Sequence, residues 1–184
     1  MKTTTLCLLL LVACAPPVPS GGSGGDGGPQ ALTDGGNEPV ANPYGTYDNC
    51  PSLSTGTVTY EAVGVSRSVE VQMPENPQGA PVVIAWHWLN GTASQILDFM
   101  GMRKLADAGY IVLAPESTGL QFEWDYSSTD SRRNVDLGLV DKMLGCAFDE
   151  LSIDTTSVYS TGMSAGGLMT TYLTMVRADV FAAT

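Results

Sequence analysis

The pentapeptide Gly162-Met163-Ser164-Ala165-Gly166 constrains this chain more than any other stretch, because an apolar segment runs directly into it and an amphipathic one runs directly out. A serine between glycines at a strand-to-helix junction is the context that a nucleophile elbow requires. Its hydroxyl is a weak nucleophile and must project from a sharp turn, where a base reaches one side and a carbonyl the other. Gly162 and Gly166 are expected to leave room for that turn, since any Cβ there would crowd the neighbouring strand and helix. Ala165 then sets its N–H at a helix N-terminus, where the positive dipole end can meet a developing oxyanion.

Around this junction the hydrophobic pattern alternates strands with helices. Residues 56–63 and 66–73 read as two strands joined at Gly64-Val65, the second alternating Val69 and Val71 with polar neighbours. Val82–Trp86 is apolar throughout, the mark of a strand buried on both faces of a parallel sheet. Residues 94–108 have a helical composition, with a break expected near Gly101 and a stop at Gly109. Residues 110–114 form a second buried strand, closed by Pro115. Residues 116–130 are a polar loop carrying Phe122, Trp124 and Tyr126 in alternation; so long a loop above a sheet edge suits function, though packing of the rings explains them more cheaply. Helical spacing of Val135, Leu139, Val140, Met143, Leu144 and Ala147 predicts a helix over 132–148. A strand over 158–161 then enters the elbow. In the helix that follows, Leu168, Met169, Tyr172, Met175 and Val176 are expected to face the core, and residues 179–183 to begin another strand. Long crossovers between strands predict an α/β fold with a mainly parallel sheet, spanning residues 44–184 and cut off after the nucleophile helix.

The N-terminal residues read as an export signal. Lys2 supplies a positive charge, residues 6–12 an apolar stretch too short to span a bilayer, and Leu11-Val12-Ala13-Cys14 has the pattern of a bacterial lipobox. Residues 1–13 are thus expected to be a signal peptide, with Cys14 acylated and the protein exported and lipid-anchored to a bacterial membrane. The alternative is a plain cleavable signal with an incidental cysteine. Residues 14–43, with eight glycines and six prolines between Ala15 and Pro43, read as a flexible tether. Removal of Cys7 and acylation of Cys14 would leave Cys50 and Cys146 as a matched pair for a disulfide in an oxidising compartment, the alternative being two buried thiols. The net charge of -11 would repel nucleic-acid backbones and anionic membrane surfaces. With one histidine and two distant spare cysteines, no metal cluster is expected, and no glycine loop has the strand and helix that phosphate binding needs. No cofactor is expected.

Four stretches together resemble a known family: residues 82–87, Gly109-Tyr110-Ile111-Val112-Leu113-Ala114-Pro115, Asn134-Val135-Asp136, and residues 158–167 with the elbow. They are similar to the secreted α/β-hydrolase esterases that include polyhydroxybutyrate depolymerases, feruloyl esterases and acetylxylan esterases. The likeness covers most of the chain after about Cys50. It implies that Ser164 is the nucleophile, held on an elbow of Gly162, Met163 and Gly166, and that the Ala165 amide is one oxyanion donor. The second donor would be Leu89, with Trp88 behind it. Trp88 stands where the family usually has glycine, so its ring is expected to reshape the acyl pocket. The substrate classes implied are polyesters and polysaccharide-linked esters; a serine peptidase of the same fold is a close relative.

The triad of this fold runs Ser, then Asp or Glu, then His. His87 is the one histidine, precedes Ser164 and matches the oxyanion-loop position, while Asp179 falls too early for the acid. The sequence is therefore expected to be the N-terminal part of an esterase, nearly inactive by itself. The competing reading is a non-catalytic surface lipoprotein that binds carbohydrate or polymer on a degenerate hydrolase fold. An order of His87, Asp136 and Ser164 would suit a trypsin-like protease, but those are all-β.

Overall fold

Period-two alternation produces the first two strands. In β1 (Gly56–Ala62), Val58, Tyr60 and Ala62 are buried while Thr57, Thr59 and Glu61 face water; β2 (Val65–Gln72) buries Arg67, Val69 and Val71. They pair antiparallel with Ala62 opposite Val65, so Val63 and Gly64 turn the chain, at φ 51° and 73°. The computed structural model describes residues 40–119 and 122–184. The signal peptide, Cys14 and all but the last four tether residues lie outside them.

β3 (Val82–Trp86) and β4 (Ile111–Pro115) are buried at every position, as their unbroken apolar runs require. β5 (Val158–Gly162) completes a five-stranded sheet in the order β1-β2-β4-β3-β5. β4, β3 and β5 run parallel; β1 and β2 extend the sheet antiparallel at one edge. The register sets Trp86 opposite Gly162, which brings the residues after β3 beside the residues after β5. In open α/β sheets, ligands bind at the carboxyl ends of the strands.

The helices follow from their caps. α1 (Ala93–Phe99) is capped by the Thr92 hydroxyl on Gln95 N at 3.2 Å and ends where Gly101 takes φ 65°; a 3-10 turn over Met102–Leu105 follows. The break expected near Gly101 is thus a left-handed residue between two short helices. α2 (Val135–Leu151) starts three residues later than its apolar spacing suggests. Asn134 is the reason: its side chain accepts from Asp136 N at 3.0 Å and Leu137 N at 2.9 Å, satisfying two donors that the first turn leaves open.

A segment ahead of β1 is fastened along α2. Cys50 and Cys146 are joined by a disulfide, Glu150 accepts from Leu53 N, and Asn42 donates to Gly145 O at 2.9 Å. Asn42 was expected in the tether; the described domain already includes it. The bond ties this segment to helix α2, and the pairing of Cys50 with Cys146 is the one expected.

α3 (Ala165–Val176) departs from expectation on its facing. Ala165, Gly166, Met169 and Leu173 are buried, whereas Leu168 and Met175 are exposed. Two apolar stripes share this helix, and the sheet covers the one at i, i+4 and i+8 from Ala165. Residues 179–183 do not form a strand: a single parallel bridge joins Ala183 to Tyr159, with Ala182 N donating to Val158 O at 2.8 Å.

Candidate active site

Ser164 sits between β5 and α3 with φ 55° and ψ -115°, a left-handed conformation that a β-substituted residue holds at a cost of about 1–3 kcal/mol. Its neighbours impose it. Met163 N donates to Trp86 O at 3.3 Å, Gly166 N to Met163 O at 2.9 Å, and Leu168 N to Ser164 O at 3.0 Å. A Cβ on Gly162 would meet Gly166 O at 2.5 Å, and one on Gly166 would meet Trp86 O at 1.9 Å. Both glycines are thus required by close backbone approach. The serine itself is exposed and its hydroxyl caps nothing. Ala165 opens α3, so its N–H has no partner within the helix.

The loop between β3 and α1 faces this elbow. The Trp88 carbonyl accepts from His87 Nδ1 at 2.9 Å and from Gly91 N at 2.8 Å. In a trans peptide the C=O and the following N–H point in opposite directions, so fixing the Trp88 carbonyl inward turns the Leu89 N–H the other way. Trp88, Leu89, Phe99, Met163 and Ser164 line an open groove of 310 Å³. One wall is an edge-on pair of Trp88 and Phe99, with ring centroids 5.5 Å apart. The structure therefore brings Ser164, Met163, Leu89 and Trp88 to one groove, with Gly162, Ala165 and Gly166 behind the serine.

His87 does not line the groove. Its ring is fully buried, tilted against Trp124 at 4.7 Å, and the Trp124 indole donates to the His87 carbonyl at 3.2 Å. A carbonyl only accepts, so Nδ1 carries the hydrogen; Nε2 has no hydrogen-bond partner and lies 3.7 Å from Glu116 Oε2. Asp136 is equally committed elsewhere: it pairs with Arg67 at 2.8 Å and accepts from Asp125 N at 2.6 Å. Burial raises the Asp136 carboxyl above the usual carboxylate range, against the pull of Arg67. Neither residue is arranged as a base or acid for Ser164.

Three supports of the site gave no reading in the sequence. Glu123, nearly buried, accepts from Asn90 N at 2.8 Å and from the Ser117 hydroxyl. Glu116 accepts from Ala93 N at 3.0 Å, at the first turn of α1. Arg67 donates from Nη2 to the Glu116 carbonyl at 2.6 Å and from Nη1 to Asp136, tying β2 to the end of β4 and to α2. A signal for Arg67 existed: it falls in phase with Val69 and Val71 on the inward face of β2, and an inward charge needs a buried partner. The two glutamates lie in a loop without periodicity and had none.

The fold as a whole is shared with solved esterases. The acetyl xylan esterase from Aspergillus awamori superposes with a TM-score of 0.55 at 21% identity, over 70% of this chain and 50% of that one. The fold is that of the α/β-hydrolases. Relatives of this α/β-hydrolase chain by sequence are feruloyl and acetylxylan esterases. Feruloyl esterase B of Thermothelomyces thermophilus is 32% identical over 117 residues, 61% of this chain and 39% of that protein. Acetylxylan esterase A of Emericella nidulans is 28% identical over 118 residues, again 61% of this chain and 39% of the relative. The chain thus spans about two fifths of the length of these curated relatives. No protein-family model matches it.

Proposed function

We propose that the protein is a serine esterase acting on carbohydrate-linked esters. The observation that carries this reading is Ser164 itself: a non-glycine residue held at positive φ, exposed at the mouth of a groove, with the first amide of α3 beside it. Strain of this kind persists where the surrounding structure over-determines it, and it concentrates at sites of chemistry. A degenerate, purely binding hydrolase fold would have no use for it.

In this mechanism the Ser164 oxygen attacks the ester carbonyl carbon as a base removes its proton, and the carbonyl π electrons move to oxygen. The Ala165 and Leu89 amides hold that oxyanion, the alkoxide of the sugar leaves with the proton, and water releases the acid by the same route. His87 is buried against Trp124 with Nδ1 on a carbonyl and is not arranged to serve as that base. Hydroxycinnamoyl and acetyl groups both follow from the relatives' names. Polyester is a substrate class that only the family resemblance implies.

The same reading places the protein outside the cytosol, because a disulfide such as Cys50–Cys146 persists in oxidising compartments. Attachment to a bacterial membrane through acylated Cys14 rests on the lipobox pattern alone. The activity is tested by assaying methyl ferulate, p-nitrophenyl acetate and p-nitrophenyl butyrate with the protein expressed from its native gene. Turnover that Ser164→Ala abolishes supports the esterase; equal turnover in both proteins contradicts it.

A further inference from the structure

The loop that carries Leu89 reads His87-Trp88-Leu89-Asn90-Gly91, so no glycine stands at 88 or 89 to let the backbone choose its own turn. Its conformation is imposed by hydrogen bonds on either side of Leu89. On the N-terminal side of Leu89, the Trp88 carbonyl is held by His87 and Gly91. On the C-terminal side, Asn90 takes φ 58° and its N–H donates to Glu123 Oε2 at 2.8 Å. The two peptide planes that meet at the Leu89 α-carbon are thereby both pinned.

Glu123 is built for the task. Only 5% of it is exposed, its other oxygen accepts from the Ser117 hydroxyl, and it sits in a left-handed pair with Phe122, at φ 57° and 79°. Nothing in the attack on an ester uses this carboxylate. A buried charge that merely filled space would be expelled or neutralised, so a specific set of donors is what retains it.

We propose that Glu123 is a positioning residue for the esterase reaction: by gripping the Asn90 amide it holds the Leu89 N–H in line with the oxygen that becomes negative at Ser164. This rests on the esterase reading above. Burial pushes the Glu123 carboxyl up, but the Ser117 hydroxyl, the Asn90 amide and the His87 ring together hold it below the usual glutamate range. The ionised acceptor is therefore retained down to mildly acidic pH. His87 is the titratable group that faces it, and Glu116 approaches that same ring from its own side at 3.7 Å.

The experiment compares wild type, Glu123→Ala and Glu123→Gln, expressed from the native gene, on p-nitrophenyl butyrate at about pH 8, where a histidine base is unprotonated, together with the amide proton shift of Asn90. Glutamine keeps a carbonyl oxygen for Asn90 and turns an N–H toward Ser117. The expected results are a fall in kcat of about 10²-fold for alanine with KM changed less than twofold, as a displaced oxyanion donor gives. Glutamine should recover most of that loss, and the Asn90 amide proton should move upfield in alanine alone. Unchanged kcat in alanine, or a glutamine variant as slow as alanine, would overturn the positioning role. If the alanine variant does not fold, Glu123→Asp decides: its shorter carboxylate should lower kcat and move the Asn90 amide proton together, and an unchanged kcat would overturn the role. A wild type without Ser164-dependent turnover sinks the esterase reading instead, and the positioning role of Glu123 in that reaction with it; the Asn90 shift then reports separately whether the grip on the loop exists.

Discussion

A β-carbon on Gly166 would stand 1.9 Å from the carbonyl oxygen of Trp86. The first turn of α3 is thus pressed against the last residue of β3, and this contact is what brings the elbow up to the loop that follows β3. The clash is with backbone, which has no rotamer to yield. Gly166→Ala should destabilise the domain by at least about 3 kcal/mol, the upper end for overpacking. Urea unfolding followed by circular dichroism measures it; a loss under 1 kcal/mol would mean that helix and strand are not in contact as described.

The disulfide between Cys50 and Cys146 closes a loop with a sequence separation of 96. Loop-closure entropy for so long a loop gives a stabilisation of about 4–5 kcal/mol. A Cys50→Ser, Cys146→Ser double variant should show that loss in its urea midpoint, with the sheet intact by circular dichroism. A drop below about 1 kcal/mol would assign the docking of this segment to Asn42 and Glu150 instead.

Arg67 and Asp136 form a buried ion pair, both nearly inaccessible. Removing one partner leaves an uncompensated charge, so Arg67→Met should cost about 3–5 kcal/mol. Adding Asp136→Leu should return part of that loss but not all, because Asp136 also accepts the Asp125 amide. A double-mutant cycle in guanidinium chloride reads the coupling; additive losses would show that the pair is not coupled.

Stability should fall in acid through Glu123. Its folded carboxyl lies below the ordinary glutamate range, chiefly because the Ser117 hydroxyl and the Asn90 amide outweigh burial. A depressed carboxylate contributes fully above its unfolded value of about 4.3 and loses that contribution as pH falls through the folded value. The stability difference between wild type and Glu123→Gln should therefore shrink below about pH 4. A difference constant from pH 3 to 7 would contradict this.

Much of the fold could be read before the structure. Val82–Trp86 keeps its expected bounds because an apolar run has only one way to be buried, and the break at Gly101 shows as a residue at φ 65°. The facing of α3 was harder. Leu168, Tyr172 and Met175 share a stripe as regular as that of Met169 and Leu173, and only the position of the sheet decides which is covered. Ser164, Met163, Leu89 and Trp88 lie on either side of two strand ends, so local motifs could point to each of them. Glu123 acts through Asn90, 33 positions away along the chain, and no local pattern announces such a partner.

The account stands or falls on the reactivity of one hydroxyl. The most direct measurement is intact mass and peptide mapping after treatment of the protein, expressed from its native gene, with a fluorophosphonate. A single adduct on the peptide that contains Ser164, absent from Ser164→Ala, is the predicted result. No adduct, or one that persists in Ser164→Ala, would contradict the claim that this serine is presented for acyl transfer.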